Sequence, residues 1–383
     1  MPFLFLIYIH SYIVFTKHGN SMNIIEIIPQ LGSGGAERFV VDLCNELAEH
    51  NAVTLIVFHA TEDFYINELS ANVKLIVLGK RKGVDLLLPF KLYKVIKRLR
   101  PDVVHTHLRG IVYSSLHAIF RSRKIKYFHT VHTVADKEAA GLISSCVRRF
   151  LFGKSVVAPV TISEDSRMSF VDYYGFNAKT IANGRNISNS LIVSQTVANE
   201  ISNFKYSTND KVLVQLARFN EVKRQDMMAR IAQRLDEDGF NFIILMIGRI
   251  DKEVLSSVQK INCRRVYVLG EKHNPLEYLK AADAYCLCST YEGLPISLIE
   301  AIGVGSIPIC TPVGGIVNLV TNGVNGILSY DISEEQYYQA LKRFLTMDSR
   351  SLDIMKNNVL ESYKPYSMSE CAKKYLEVFK SIE

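Results

Sequence analysis

At 383 residues the chain is too long for one comfortable hydrophobic core, and two domains of ordinary size are expected. A hydrophobic fraction of 48% against 22% charged residues excludes bulk disorder. The formal charge of +7 is uneven: residues 1–185 hold 23 Lys/Arg against 15 Asp/Glu, a net of +8, and residues 186–383 hold 22 against 23, a net of −1. So basic an N-terminal half suits an anionic partner such as a membrane surface, nucleic acid or a phosphorylated substrate, and equally a solvated face of lysine-rich helices.

The chain opens on an apolar run, Phe3–Phe15, broken by His10 and Ser11. It is shorter than the ~20 residues that cross a bilayer. It also lacks the basic flank and small-residue cleavage site of a signal peptide. Residues 1–21 are read as an extension outside the native chain, which starts at Met22; an uncleaved hydrophobic anchor is the alternative. No later stretch is apolar for long enough to span a membrane. The seven scattered cysteines form no C-x-x-C pair, so neither a zinc site nor a disulfide framework is indicated, and a reducing cytosol fits.

From Asn23 onward, short β-branched runs alternate with amphipathic stretches. The runs are Ile24–Ile28, Val53–Phe58, Leu75–Leu78, Val103–Val104, Tyr127–Val131 and Val156–Ile162, with helices such as Glu37–Glu49 and Phe90–Leu99 between them. Near-continuous apolar strands separated by helices indicate a parallel sheet covered on both faces. Residues 22–185 are therefore a first α/β domain. A polar stretch, 186–210, reads as a linker. The rhythm resumes with Val212–Leu216, Phe242–Ile247, Val266–Leu269, Ala284–Cys288 and Ile307–Cys310, a second domain over 211–365. The expected fold is α/β, two doubly wound Rossmann-like domains facing a central cleft at the carboxyl ends of their strands.

Several motifs fall where such strands end. After the first strand, Gly32-Ser33-Gly34-Gly35-Ala36-Glu37 is a glycine-rich turn that lets backbone approach a phosphate. It matches the dinucleotide fingerprint imperfectly, and the second strand ends in His59-Ala60 rather than an acidic residue, so a nicotinamide cofactor is not indicated. His105-Thr106-His107 and His129-Thr130-Val131-His132 follow later strands. Paired histidines can hold a metal, but these sit on different strand ends with no carboxylate cluster nearby, so no metal site is assigned. Arg218 and Lys223 occupy a strand-to-helix loop from which fixed cations can hold a diphosphate, although surface charge explains them equally well one at a time. The strongest local signal is Tyr291-Glu292-Gly293-Leu294-Pro295-Ile296-Ser297-Leu298-Ile299-Glu300-Ala301. Pro295 suits the first turn of a helix, whose N-terminal amides would favour an anion near Gly293 and Leu294. Glu292 and Glu300 can flank one ligand, and as acceptors they suit neighbouring sugar hydroxyls.

Together these pieces resemble the retaining glycosyltransferases of family four, the group-one glycosyl transferases of GT-B architecture. The likeness runs from about Asn23 to the end. It is densest from Gly270 to Ser329, through Ala282-Asp283, the Glu292/Glu300 pair, Gly305, Pro308, Gly314-Gly315 and Asn325-Gly326. The resemblance implies that Glu300 binds the nucleotide ribose, Glu292 and the amides of Gly293–Pro295 contact the donor sugar, and Arg218 with Lys223 neutralises the diphosphate. It further implies that Gly34 and Gly35 approach the same phosphates, that His132 rather than His129 is the active-site histidine, and that residues 366–383 form a helix returning to the N-terminal domain. Two positions depart from the pattern. Arg185-Asn186 stands where an aliphatic and an Asp are common, and Arg224 stands where glycine is common.

The expected activity is transfer of a hexose, with retention, from a UDP- or GDP-linked sugar to a hydroxyl acceptor. The leaving diphosphate gains charge in the transition state, and Arg218, Lys223 and a helix N-terminus can stabilise it without a metal ion. The nucleotide sugar is a substrate, and no cofactor is assigned. A nucleotide-sugar 2-epimerase and a non-catalytic glycan-binding protein of the same fold are the competing readings. Lys91, Lys94, Lys97 and Arg98, then Arg121, Arg123, Lys124 and Lys126, and Arg148-Arg149, make a glycan or lipid-linked acceptor at an anionic membrane plausible. The resemblance accordingly implies a cytoplasmic enzyme of bacterial surface polysaccharide, lipopolysaccharide or glycolipid synthesis, peripheral on the inner membrane face, with no nucleic acid partner.

Overall fold

The computed structural model describes residues 21–59, 64–81, 83, 85–122, 124–139, 141–188 and 190–381. The expected extension therefore lies, but for Ser21, outside the described residues, as does Arg123. The chain divides into two compact units. One ends at Gly184 and takes in the chain from Met368 onward; the other is Arg185–Ser367.

The first unit runs β1 (Asn23–Ile28), α1 (Gly35–Leu47), β2 (Ala52–Val57), β3 (Val73–Val77), α2 (Leu88–Leu99), β4 (Val103–His107), α3 (Gly110–Phe120), β5 (Lys126–Val131), α4 (Ala135–Glu138), α5 (Leu142–Gly153), β6 (Ala158–Thr161), α6 (Glu164–Tyr174) and β7 (Lys179–Thr180). Among the described residues its strands form one sheet in the order β3-β2-β1-β4-β5-β6-β7, every pair parallel. Helices cover both faces, so β1 and β2 are buried along almost their whole length, which is why they read as unbroken apolar runs. β4 extends past the apolar pair Val103–Val104 and takes in His105, Thr106 and His107. The histidines therefore lie within the strand rather than beyond it.

The second unit begins with α7 (Gln195–Phe204), which lies inside the polar stretch 186–210 read as a linker. It continues through β8 (Lys211–Leu216), α8 (Gln225–Glu237), β9 (Phe242–Ile247), α9 (Lys252–Ile261), β10 (Val266–Gly270), α10 (Pro275–Ala281), β11 (Ala284–Leu287), α11 (Ile296–Val304), β12 (Ile307–Cys310), α12 (Ile316–Leu319), β13 (Ile327–Leu328), α13 (Glu334–Leu345) and α14 (Ser349–Ser362). Six of the ten residues of α7 are polar, which hid it, yet it buries Val197 and Ile201 and is capped by Ser194. The sheet order is β10-β9-β8-β11-β12-β13, again parallel.

The last helix, α15 (Met368–Ser381), belongs to the first unit. It buries Met368, Cys371, Tyr375 and Phe379. Phe379 stacks 4.8 Å from Phe128, and Lys126 Nζ caps the helix through the carbonyls of Phe379 and Lys380 at 3.2 and 3.1 Å. Each buried aromatic stabilises this docking by about 1.5–3 kcal/mol.

Candidate active site

In the second unit the strand order reverses between β8 and β11, the switch point where open α/β sheets bind ligands. Both loops leaving that point carry expected site residues. After β8 comes Arg218, then a 3-10 turn over Glu221–Lys223 closed by Asn220, whose side chain accepts the Lys223 amide at 3.0 Å. After β11 comes the Ser289–Pro295 loop. The two loops are tied together by Thr290 N–H to Val222 O at 2.9 Å and by Cys288 Sγ, just after β11, to Lys223 O at 3.4 Å. That tie brings Lys223 onto Glu292 as an ion pair, and Ser289 Oγ donates to the same carboxylate oxygen at 2.6 Å.

Two glycines make this geometry possible. Gly314 has φ +53, and a Cβ there would stand 1.9 Å from Glu292 O; the next amide, Gly315 N–H, donates to Gly293 O at 2.7 Å. Gly248 has φ +146, and a Cβ there would strike Ala217 O at 2.1 Å, just before Arg218. Arg224 is left-handed at φ 53. A left-handed position explains why glycine would be common there. Its guanidinium instead reaches Ile332 O.

Other expected residues are placed less simply. Arg218 is exposed, and its guanidinium makes no hydrogen bond or ion pair among the described residues. Pro295 is the N-cap of α11, so the helix starts one residue later than read. Gly293, Leu294 and Pro295 are buried. Glu300 is 6% exposed and accepts Arg185 Nε at 2.7 Å. The departure at Arg185 is thus in direct contact with the residue expected to hold the ribose.

The first unit holds the remaining candidates at the carboxyl ends of β1, β4 and β5. Gly34 caps α1 and Gly35 opens it. Gly34 has an ordinary φ of −89, but the Glu37 carboxylate folds over it, 2.2 Å from where a Cβ would sit. His132 follows β5 and is partly exposed. Its amide donates to Glu138 Oε2 at 2.5 Å, and its Nε2 lies 2.9 Å from His107 Nδ1. Burial above all pushes the His132 imidazole down to about 4. His129, by contrast, is fully buried beside the Glu138–Arg148 ion pair, 2.9 Å from Glu138 and 2.7 Å from Arg148. Burial alone would raise the Glu138 carboxyl, but Arg148 and His129 hold it down to about 2.

No carboxylate cluster is expected beside the histidines, and this is corrected by Glu26 of β1. Parallel pairing of β1 with β4 sets Glu26 beside His105 and His107, and all three are fully buried. Their donor atoms lie within 4.8 Å of one another, a set that could hold a metal. However, both imidazoles stand at hydrogen-bond spacing from one Glu26 oxygen, 2.9 Å for His105 Nδ1 and 2.8 Å for His107 Nε2. Ligands of one tetrahedral ion would stand roughly 3.3 Å apart. The spacing is that of hydrogen bonding. An acidic residue inside the apolar run Ile24–Ile28 was the available signal for this cluster. An Asp-x-Asp triplet, expected to be absent from a chain that works without a metal ion, does occur: Asp236-Glu237-Asp238. It is structural: Asp236 pairs with Arg264 and Arg265 at 2.6 and 2.8 Å, and Asp238 accepts the Tyr338 hydroxyl.

Two parallel α/β units, each with candidate residues at its switch point, are the architecture called GT-B. The profile of glycosyl transferases group 1 matches residues 198–360, and that of Glycosyltransferase Family 4 matches residues 33–189. An alpha-1,4-N-acetyl-D-galactosaminyltransferase of Campylobacter jejuni, named for an undecaprenol-diphosphate-linked glycan, is 24% identical over 94% of this chain and 99% of its own. The capsular polysaccharide biosynthesis glycosyltransferase CapH of Staphylococcus aureus is 27% identical over 73% of this chain and 78% of its own. Anabaena HepE, crystallised with UDP and glucose, superposes with a TM-score of 0.77 at 17% identity over 94% of this chain and 100% of that one. The chain belongs to the group 1 glycosyltransferases.

Proposed function

We propose that the enzyme transfers a hexose, with retention, from a nucleotide-diphosphate sugar to a hydroxyl of a lipid-linked glycan. The observation that carries this reading is the joining of Lys223, Glu292 and Ser289 across the two switch-point loops, with Arg218 exposed on one of them. Departure of a nucleoside diphosphate builds negative charge on its leaving oxygen, and cations fixed at that oxygen lower the barrier. In this reading Lys223 exchanges Glu292 for the diphosphate, Arg218 supplies the second cation, and Glu292 is released to accept sugar hydroxyls. The N-terminus of α11 adds its dipole. Glu300 accepts from the ribose, and its Arg185 contact must open or be shared to do so. His132 and the Gly34-Gly35 turn are the first unit's own candidates for substrate binding. No metal ion is assigned a role, because side-chain cations supply the charge. Screening UDP- and GDP-sugars by thermal shift, then by transfer to undecaprenol-linked acceptors, tests the reading. Epimerised donor without transfer would replace it.

A lipid-linked acceptor is supported by the surface of the first unit as well as by the relatives' names. Leu86, Leu87 and Phe90 at the start of α2 are 76, 52 and 58% exposed, and Lys94, Lys97 and Arg98 follow on the same helix. Apolar side chains beside lysines suit an anionic bilayer surface. No helix among the described residues is long and apolar enough to cross a membrane. Co-sedimentation with anionic but not neutral vesicles is the expected result, and equal recovery with both would end the membrane assignment.

A further inference from the structure

Three histidines of the first unit, His105, His107 and His132, lie on one hydrogen-bonded chain, and partners alone assign its protons. At the centre, Glu26 Oε2 is 2.9 Å from His105 Nδ1 and 2.8 Å from His107 Nε2. On one side, His107 Nδ1 is 2.9 Å from His132 Nε2. On the other, His105 Nε2 is 2.8 Å from Thr130 Oγ1, itself 2.8 Å from the Tyr375 hydroxyl on α15. Phe39 packs against the rings of both His107 and His132, with centroids 6.1 and 5.6 Å away, and so limits their rotation.

A carboxylate only accepts, whereas a neutral imidazole has one N–H and one bare nitrogen. An ionised Glu26 therefore requires N–H at His105 Nδ1 and at His107 Nε2. His107 Nδ1 is then bare, and His132 Nε2 must donate to it. What remains is His132 Nδ1, without a proton, on the one of these three histidines that is partly exposed. The Thr130 and Tyr375 hydroxyls point the same way, each donating toward the centre.

We propose that Glu26 is a positioning residue that holds His132 in its Nε2–H tautomer, so that His132 presents a bare Nδ1 and accepts a hydrogen bond from a substrate hydroxyl. The choice matters because the opposite tautomer would donate. Burial keeps all three imidazoles neutral at ordinary pH, His132 at about 4 and the other two lowered as well. For Glu26 burial raises the carboxyl while the His107 hydrogen bond opposes the rise. The inference rests on the reading of His132 as a site residue, but its test does not depend on turnover.

Long-range proton–nitrogen spectra of histidine-labelled, full-length protein report each tautomer directly. The expected result is Nδ1–H at His105 and Nε2–H at His107 and His132; an Nδ1–H or cationic His132 would overturn the proposal. In Glu26→Gln the atom facing both imidazoles is either the amide oxygen, which accepts from both and leaves the tautomers as they are, or the NH₂, which donates to both and switches His105 and His107. Either way His132 keeps step with His107, and a His132 that switches without His107, or fails to switch with it, overturns the relay. His107→Phe cuts the same link without touching Glu26, and His132 should then lose its single tautomer; a His132 still held as Nε2–H counts against the proposal. Comparison with His132→Ala separates the two ideas. Correct tautomers with wild-type turnover in His132→Ala would remove the role of His132 and keep the relay. Scrambled tautomers with a dead His132→Ala would do the reverse.

Discussion

The two clusters are built on different physics. In the first unit the candidate histidine is backed by fully buried, mutually satisfied groups, Glu26, His105, His107 and His129, and by the ion pair of Glu138 with the buried Arg148. In the second unit Arg218, Lys223 and Glu292 sit on loops, with Arg218 exposed and Lys223 only partly covered. The first arrangement resists change and fixes orientation. The second keeps charge available for exchange with a ligand. Damage to the first should therefore appear mainly as lost stability, and damage to the second mainly as lost rate.

The largest stability effect is expected at Glu138. Glu138→Gln leaves Arg148 buried without its counter-charge and should cost about 3–5 kcal/mol in denaturant unfolding. The same pair gives an acid signature. The folded value near 2 lies below the ordinary 4.5, so its contribution is complete above about pH 4.5 and is lost as pH falls through 2. That gap is worth about 3 kcal/mol. Unfolding measured from pH 6 to 2 should lose this much in wild type and less in the variant; parallel curves would contradict the pairing.

Rate effects come next. Arg218→Ala should lower kcat by about 10²–10³ while stability stays within roughly 0.5 kcal/mol, because an exposed cation is removed from a transition state rather than from a core. Wild-type turnover in that variant would erase the contrast between the units. Gly314→Ala tests the loop scaffold and should do both kinds of harm. It forces a Cβ against Glu292 O at a positive φ, costing about 1–3 kcal/mol and displacing the carboxylate, which melting and transfer assays would register together. Gly34→Ala is the mild counterpart, since only the flexible Glu37 side chain has to move. Its melting temperature should match wild type. EDTA is expected to change transfer least of all; loss restored by added Mg²⁺ or Mn²⁺ would mean that side-chain cations are insufficient.

Much of this was legible in the chain itself. Strands such as Phe242–Ile247 and Ile307–Cys310 have the bounds their apolar runs suggest, and the Tyr291–Ala301 motif was visible because loop, proline and helix are contiguous. The misses share a cause. β4 looked two residues long because His105 and His107 interrupt its apolar character, and their burial makes sense only beside Glu26, 79 and 81 residues away in sequence. α7 looked like a linker because only Val197 and Ile201 turn inward.

Sequence by itself determined the alternation of strand and helix, the parallel sheets and the motif-bearing loops, because hydrophobic period and turn chemistry act over a few neighbouring residues. Tertiary structure alone decided which charges meet: Lys223 with Glu292, Arg185 with Glu300, Glu26 with two histidines. Those pairings follow from strand order and from the close backbone approaches that Gly248 and Gly314 permit. No local pattern encodes the distance between residues that the chain brings together from far apart.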